Sequence, residues 1–228
     1  MKFFIDTANL DDIRTAEALG VLDGVTTNPS LMAKEGIAGD AACREHYLKI
    51  CNIVDGDVSA EVLSTTYDKM LPEARELAAL HKNIVVKVPC TEDGIKTICQ
   101  LTKEGIRTNC TLIFNLGQAV LAAKAGATYV SPFVGRLDDI SSDGVSLIAD
   151  IVETFETYGF NTQVLAASIR HTQHIIDCMR VGADVATCPL KAILGLLKHP
   201  LTDSGLAAFI ADQERVAKQV NRDCCKSQ

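Results

Sequence analysis

The sequence predicts an α/β fold, a single (β/α)8 (TIM) barrel with one additional helix at its C-terminal end. Three observations predict it. Short apolar runs alternate with longer amphipathic stretches along the chain, a pattern that implies parallel strands joined by helical crossovers. Eight such units fit into 228 residues, roughly 28 residues each, close to the ~250-residue economy of such barrels. The rival arrangement, an open doubly wound sheet, lacks its usual signature: DTANLDD follows the first apolar run, where a glycine-rich phosphate loop would stand.

The elements follow in order. KFFID is the first candidate strand, and Gly20 closes the helix before the second, GVTTN. VSAEV is the third; the amphipathic stretch TYDKMLPEARELAALH separates it from the fourth, IVVKV. Gly105 precedes RTNCTLI, Gly126 precedes TYVSPFV, Gly159 ends GVSLIADIVETFETYG before TQVLAAS, and Gly182 precedes DVATCP. At each of these glycines a left-handed cap ends a helix. Beyond Pro200, LTDSGLAAFIADQERVAKQV reads as one more helix, about residues 201–220, with a packing or oligomer role. No linker or low-complexity segment interrupts the chain, so one domain over 1–228 is expected.

Composition narrows the function. The chain is 47% hydrophobic and 22% charged, enough to bury a sizeable core. A formal net charge of −7 recommends neither nucleic acid nor an anionic membrane as partner. Asp6 interrupts the opening apolar run, which does not read as a secretory leader, and no stretch approaches the ~18 apolar residues of a membrane span. A cytoplasmic location is expected. Nine cysteines are an odd number, and none forms a CxxC pair, so reduced thiols are the expectation, with Cys224 and Cys225 as a vicinal pair in a polar tail. His171 and His174 share a helical face without carboxylates or thiolates near them in sequence, so they read as surface histidines and no metal is predicted.

In a barrel, every second strand residue faces the axis, and catalytic groups gather at the carboxyl ends of the strands. Polar residues interrupt the candidate strands at such places. Asp6 ends the first, Thr26 and Asn28 end the second, Glu61 lies near the end of the third, and Lys87 stands inside the fourth. Asn109 and Thr111 share a face of the fifth, Ser131 and Phe133 of the sixth, and Ser168 and Arg170 leave the seventh. Singly, each has an ordinary explanation: an asparagine or threonine at a strand end is commonly a turn residue, Asp6 suits a helix cap, and an arginine suits a rim ion pair. Seven successive strand ends with polar groups are harder to explain one at a time.

Lys87 sets the chemistry. An ammonium in the branched apolar run NIVVKVP is costly unless it is paired or neutralised. A desolvated lysine more readily supplies a neutral amine, which attacks a carbonyl to form an imine; the protonated imine is an electron sink that makes a neighbouring carbon–carbon bond breakable without a metal. Asp6 and Glu61 are the candidates for proton transfer, and the asparagines for orienting sugar hydroxyls. Arg136 and Arg170, with Ser168, suit an anionic end group such as phosphate.

FIDTAN, GVTTNPSL, AEV, VVKVPCTEDG, GIRTNCTLIF, YVSPFVGR and VLAASIR stand in this order. As a set they resemble the transaldolases, specifically the short branch that also includes fructose-6-phosphate aldolases, with the match running through about Pro189. The resemblance implies a barrel with its Schiff-base lysine on the fourth strand, which falls on Lys87, and no cofactor. It implies transfer of a dihydroxyacetone unit from sedoheptulose 7-phosphate or fructose 6-phosphate to an aldose phosphate, in the pentose phosphate pathway. By position Asp6 resembles the acid/base of carbon–carbon cleavage, while Glu61 and Thr111 resemble the pair that holds a proton-relaying water. Asn28 and Asn109 resemble hydroxyl-binding residues, and Ser168, Arg136 and Arg170 the phosphate site. Aldolases of this kind carry glutamine at the position of Glu61 and tyrosine at that of Phe133, so both positions look like transaldolase. An aldolase releasing free dihydroxyacetone is the alternative, and a non-catalytic sugar-phosphate-binding barrel a third reading. The resemblance further implies a homo-oligomer, a pentamer or decamer.

Overall fold

The computed structural model describes residues 1–226, with side chains through residue 219. Its elements begin with β1 (Lys2–Asp6), α1 (Leu10–Ala18), β2 (Gly24–Thr26), α2 (Pro29–Lys34), α3 (Asp40–Cys51), β3 (Asp57–Glu61) and α4 (Tyr67–Ala78). β4 (Ile84–Pro89), α5 (Glu92–Lys103), β5 (Thr108–Ile113), α6 (Leu116–Lys124), β6 (Tyr129–Pro132), α7 (Val134–Asp138) and α8 (Gly144–Tyr158) follow. The chain continues through β7 (Gln163–Ala166), α9 (Thr172–Arg180), β8 (Val185–Cys188), α10 (Leu190–Gly195) and α11 (Pro200–Lys226). The eight strands close in sequence order into a parallel barrel, β1 pairing with both β2 and β8. All five expected glycines have positive φ. Met1–Ala192 forms one compact unit containing every strand; the residues from Ile193 onward form a second, built mainly on α11.

Alternation along the strands divides the barrel into two faces. Ile5, Val25, Val58, Val86, Val88, Cys110, Val130, Val164 and Cys188 are buried outward-facing positions between sheet and helices. Cys51 and Cys178 are buried likewise, and burial pushes their thiols up to about 11 and about 12, as expected of cysteines used as small hydrophobes. The side chains of Cys224 and Cys225 lie outside the described residues.

The interior is apolar near the amino ends of the strands and polar near the carboxyl ends. Phe4, Val85, Tyr129, Leu165 and Val185 form the apolar part, with the Phe4 and Tyr129 rings edge to face at 6.0 Å. Gly24 makes room for it: a Cβ there would lie 2.6 Å from Phe4 Cζ and 2.6 Å from the Asp57 carbonyl. The Tyr129 hydroxyl donates to Asp57 Oδ2 at 2.8 Å, which anchors this plug at the barrel's amino end. Packed side chains fill that end, and a cavity lies at the other.

Candidate active site

A cavity of about 340 Å3 opens among the carboxyl ends of the strands, and every strand or the loop leaving it contributes to its wall. This volume lies in the range of small-molecule sites, about 300–1,000 Å3. Lys87 reaches it from β4, with only 6% of the residue exposed. Register brings its partners: Glu61 on β3 is the Cα partner of Lys87, which in turn pairs with Asn109 on β5. Lys87 Nζ lies 2.9 Å from Glu61 Oε2 and donates to the Thr27 carbonyl at 3.1 Å. The buried ammonium thus has one full and one partial negative charge beside it.

Asp6 stands on the neighbouring arc of the wall. Thr26 Oγ1 donates to its Oδ1 at 2.8 Å and also meets Thr187 Oγ1 at 2.5 Å, linking β1, β2 and β8. Burial pushes the Asp6 carboxyl above the ordinary carboxylate range, opposed by the charge of Lys87 and the hydrogen bond from Thr26. The ordinary role available to Asp6, capping the following helix, belongs instead to Asn9, whose side chain accepts from the Asp11 and Asp12 N–H groups.

In the TTNPS segment, Asn28 caps α2 and Pro29 occupies its first turn. Asn28 Oδ1 accepts from the Leu31 N–H at 3.0 Å, which leaves the amide nitrogen as a donor on the cavity wall. Across the barrel, the pairing of β5 with β6 shifts register between Cys110 and Ile113, and Leu112 has a φ of 60°. This irregularity turns both Thr111 and Leu112 toward the cavity, where Thr111 Oγ1 is buried without a hydrogen-bond partner among the described residues.

Ser131, Phe133, Arg136 and Ser168 complete that side of the wall. The Phe133 ring is held edge to face against Phe114 at 5.4 Å, and the Arg136 guanidinium lies 4.8 Å from its centroid. Arg136 forms no ion pair among the described residues. Ser168 has a φ of 58°, a conformation costing of order 1–3 kcal/mol, and occupies the turn where the chain leaves β7.

Two expected residues lie outside the cavity wall. Asn109 is fully buried, donating from Nδ2 to Ser59 Oγ at 3.1 Å and accepting from Ser131 Oγ at 2.7 Å. Arg170 sits at the rim, bound to Asp139 at 2.6 Å with half its side chain exposed. Conversely, Thr187 and Leu112 are wall residues that sequence reasoning passed over. Thr187 had at most a weak signal, a hydroxyl near the end of the eighth strand on a residue type that suits any strand position; Leu112 had none.

The histidines differ from the surface pair expected: His171 is the N-cap of α9, while His174 is buried beside Asp138, its ring centroid 3.8 Å from that of His171 with the planes tilted by 45°. Among the described residues, no three His, Cys, Asp or Glu side chains converge as a metal site would require, and no helix is long and apolar enough to cross a membrane.

Comparison with known proteins agrees with this geometry. A family model described as transaldolase/fructose-6-phosphate aldolase matches residues 3–227. A protein of Porphyromonas gingivalis named probable transaldolase is 71% identical over 216 residues, 95% of this chain and 98% of its own length. Proteins with the same name from Parabacteroides distasonis and Bacteroides thetaiotaomicron are 72% and 69% identical, each over 95% of this chain and 99% of their own. A closed eight-stranded parallel barrel, a buried lysine on its fourth strand and a family match across nearly the whole length make this chain a member of the transaldolase/fructose-6-phosphate aldolase family of enzymes.

Proposed function

We propose that the protein is a transaldolase that carries a dihydroxyacetone unit on Lys87, as an imine and then an enamine, from a ketose phosphate to an aldose phosphate. The observation that carries this reading is the buried Lys87 with Glu61 at 2.9 Å, in a cavity lined by Asp6, Asn28 and Thr111. Glu61 takes the ammonium proton, and the amine attacks C2 of the donor; loss of water gives the protonated imine. Asp6 accepts the C4 hydroxyl proton as the C3–C4 bond breaks, and the electron pair of that bond moves into the imine to form the enamine. The aldose phosphate leaves, a second aldehyde enters, and the same steps run in reverse. Thr111 Oγ1 and Glu61 suit a water that relays protons as the imine forms and opens. The amide nitrogen of Asn28 suits a sugar hydroxyl, and no metal or organic cofactor is called for.

The phosphate is assigned to the side formed by Ser168 and Arg136, whose guanidinium forms no ion pair among the described residues, with Arg170 as a second charge at the rim. Arg136→Ala is expected to raise KM for fructose 6-phosphate roughly tenfold or more, the effect of losing a hydrogen bond to a charged group. Arg170→Ala has a smaller effect, since its guanidinium is already engaged by Asp139. Initial rates with fructose 6-phosphate and unphosphorylated fructose check both; equal losses on the two substrates would remove the assignment.

Transfer is favoured over release of free dihydroxyacetone by Phe133, an apolar ring on the cavity wall. It offers no hydroxyl to arrange water for protonating the enamine, which therefore persists until an aldehyde arrives. Phe133→Tyr is expected to raise donor-only release of dihydroxyacetone and to lower transfer to erythrose 4-phosphate; adding Glu61→Gln shifts the ratio of release to transfer further the same way, at a lower overall rate because glutamine cannot take the ammonium proton. A folded Phe133→Tyr enzyme with an unchanged ratio of release to transfer speaks against the distinction; a wild-type protein that readily releases dihydroxyacetone is an aldolase.

Metabolically, this assigns the protein to the pentose phosphate pathway in the cytoplasm. A homo-oligomer is proposed with it, supported by Leu206, Phe209 and Ile210, exposed apolar residues of α11.

A further inference from the structure

The residues assigned to the phosphate lie on α7 and on the loop after β7, and the two backbones are joined directly. The Val134 N–H donates to the Ala167 carbonyl at 2.9 Å and the Gly135 N–H to the Ser168 carbonyl at 3.0 Å. At Gly135 a Cβ would lie 2.4 Å from that carbonyl and 2.6 Å from Arg170 Nε, so only glycine permits the approach.

A second join runs through a side chain that is not part of the cavity wall. His174, buried on the first turn of α9, has its Nε2 2.9 Å from Asp138 Oδ2 on α7, while its Nδ1 accepts from the Arg170 backbone N–H at 3.3 Å. Asp138 is itself fixed, since its Oδ1 accepts from the Gly144 N–H at 3.0 Å. A backbone N–H can bond Nδ1 only if that nitrogen carries no proton. The imidazole must therefore be the neutral form with its hydrogen on Nε2, donated to Asp138.

We propose that His174 is a positioning residue that fastens the loop of Ser168 and Arg170 to the helix of Arg136, so that its protonation loosens the phosphate site. The inference rests on the assignment of the phosphate to those residues. Protonation puts a second N–H at Nδ1, opposite the N–H of Arg170, and the two donors repel.

The groups around the ring set when this happens. Asp138 faces it from α7 and Asp177 from later in α9, while the His171 ring lies beside it, tilted by 45°, and Asp139 is taken up by Arg170. Burial and His171 hold the imidazole below its ordinary 6.5, against the pull of Asp138 and Asp177. It is therefore neutral at pH 7. Because the unfolded chain binds this proton more readily, the contribution of His174 to stability is complete above about pH 6.5 and is lost as pH falls through the lower folded value.

The test compares wild type, His174→Leu, His174→Asn and Arg136→Ala by KM and kcat for fructose 6-phosphate between pH 5.5 and 8, with unfolding midpoints alongside. At pH 8, His174→Leu should raise KM about tenfold, the scale of one lost buried hydrogen bond, with kcat within about twofold. His174→Asn, whose Oδ1 can accept in place of Nδ1, should recover most of that loss. The phosphate group itself titrates near pH 6, equally for every variant. Wild type should weaken more steeply on acidification than His174→Asn, and the excess is the signature of the imidazole. Coincident pH profiles overturn the inference, and so does an unchanged KM in His174→Leu when Arg136→Ala weakens binding. If His174→Leu does not fold, the pH comparison of wild type with His174→Asn decides alone. An unchanged KM in Arg136→Ala instead overturns the phosphate assignment on which the inference rests.

Discussion

Lys87→Arg is expected to lose transfer by roughly four orders of magnitude or more, the scale on which removal of a covalent nucleophile acts. The guanidinium stays charged at any pH compatible with the fold, so it cannot attack a carbonyl. It nevertheless keeps a cation opposite Glu61, and this separates chemistry from stability. Deleting the charge altogether would strand a mostly buried carboxylate, a change worth about 3–5 kcal/mol when one member of a buried pair is removed. Initial rates with fructose 6-phosphate and erythrose 4-phosphate, together with the unfolding midpoint, check the prediction. Turnover retained by a folded Lys87→Arg protein rejects the nucleophile assignment.

Asp6→Asn is expected to lower turnover by about 10²- to 10⁴-fold, the contribution typical of a positioned acid or base. Its effect falls on bond cleavage rather than imine formation, because Glu61, not Asp6, is in contact with the Lys87 amine. The variant should therefore still form a donor adduct while failing to release the aldose phosphate. Asparagine can keep the hydrogen bond from Thr26 through its carbonyl oxygen. Stability should move the other way from activity. A carboxyl whose folded value is raised above 3.8 binds more protons folded than unfolded, so stability declines as pH rises through that interval and the deficit persists at neutral pH. Removing the carboxyl takes that deficit away, so the unfolding midpoint at pH 7 should equal or exceed that of wild type. Single-turnover release of glyceraldehyde 3-phosphate checks the first claim and thermal unfolding the second; full cleavage activity in the variant contradicts the role of Asp6.

The barrel was legible because strand and helix periods differ and glycines punctuate them. Gly20, Gly105, Gly126, Gly159 and Gly182 all have positive φ. The cavity was legible wherever a polar group broke an apolar run near a strand end. Lys87 is the clearest case: a lysine between Val86 and Val88 has few structural explanations, and it is buried against Glu61.

Three features were hidden for physical reasons. Thr187, between Ala186 and Cys188, is a β-branched residue that suits any strand, so its hydroxyl drew no attention although it meets Thr26. Leu112 reaches the wall through a shift in strand register, which TNCTLI does not announce. Arg170 shares a motif with Ser168 but meets Asp139, 31 residues earlier in the chain, and no local pattern could reveal that pairing. Asn109 was expected to bind a hydroxyl; alternation correctly turns it inward, yet depth in the barrel leaves it bonded to Ser59 and Ser131.

The measurement that bears most directly on the central claim is borohydride trapping. The protein is incubated with fructose 6-phosphate, reduced, digested and analysed by peptide mass spectrometry. Reduction of the imine fixes the sugar-derived carbon unit to nitrogen as a secondary amine. The account predicts one modified peptide, the one containing Lys87, with the adduct absent from Lys87→Arg and present in Asp6→Asn. An adduct confined to any other lysine, or activity that persists through reduction in the presence of donor with no adduct formed, would contradict it.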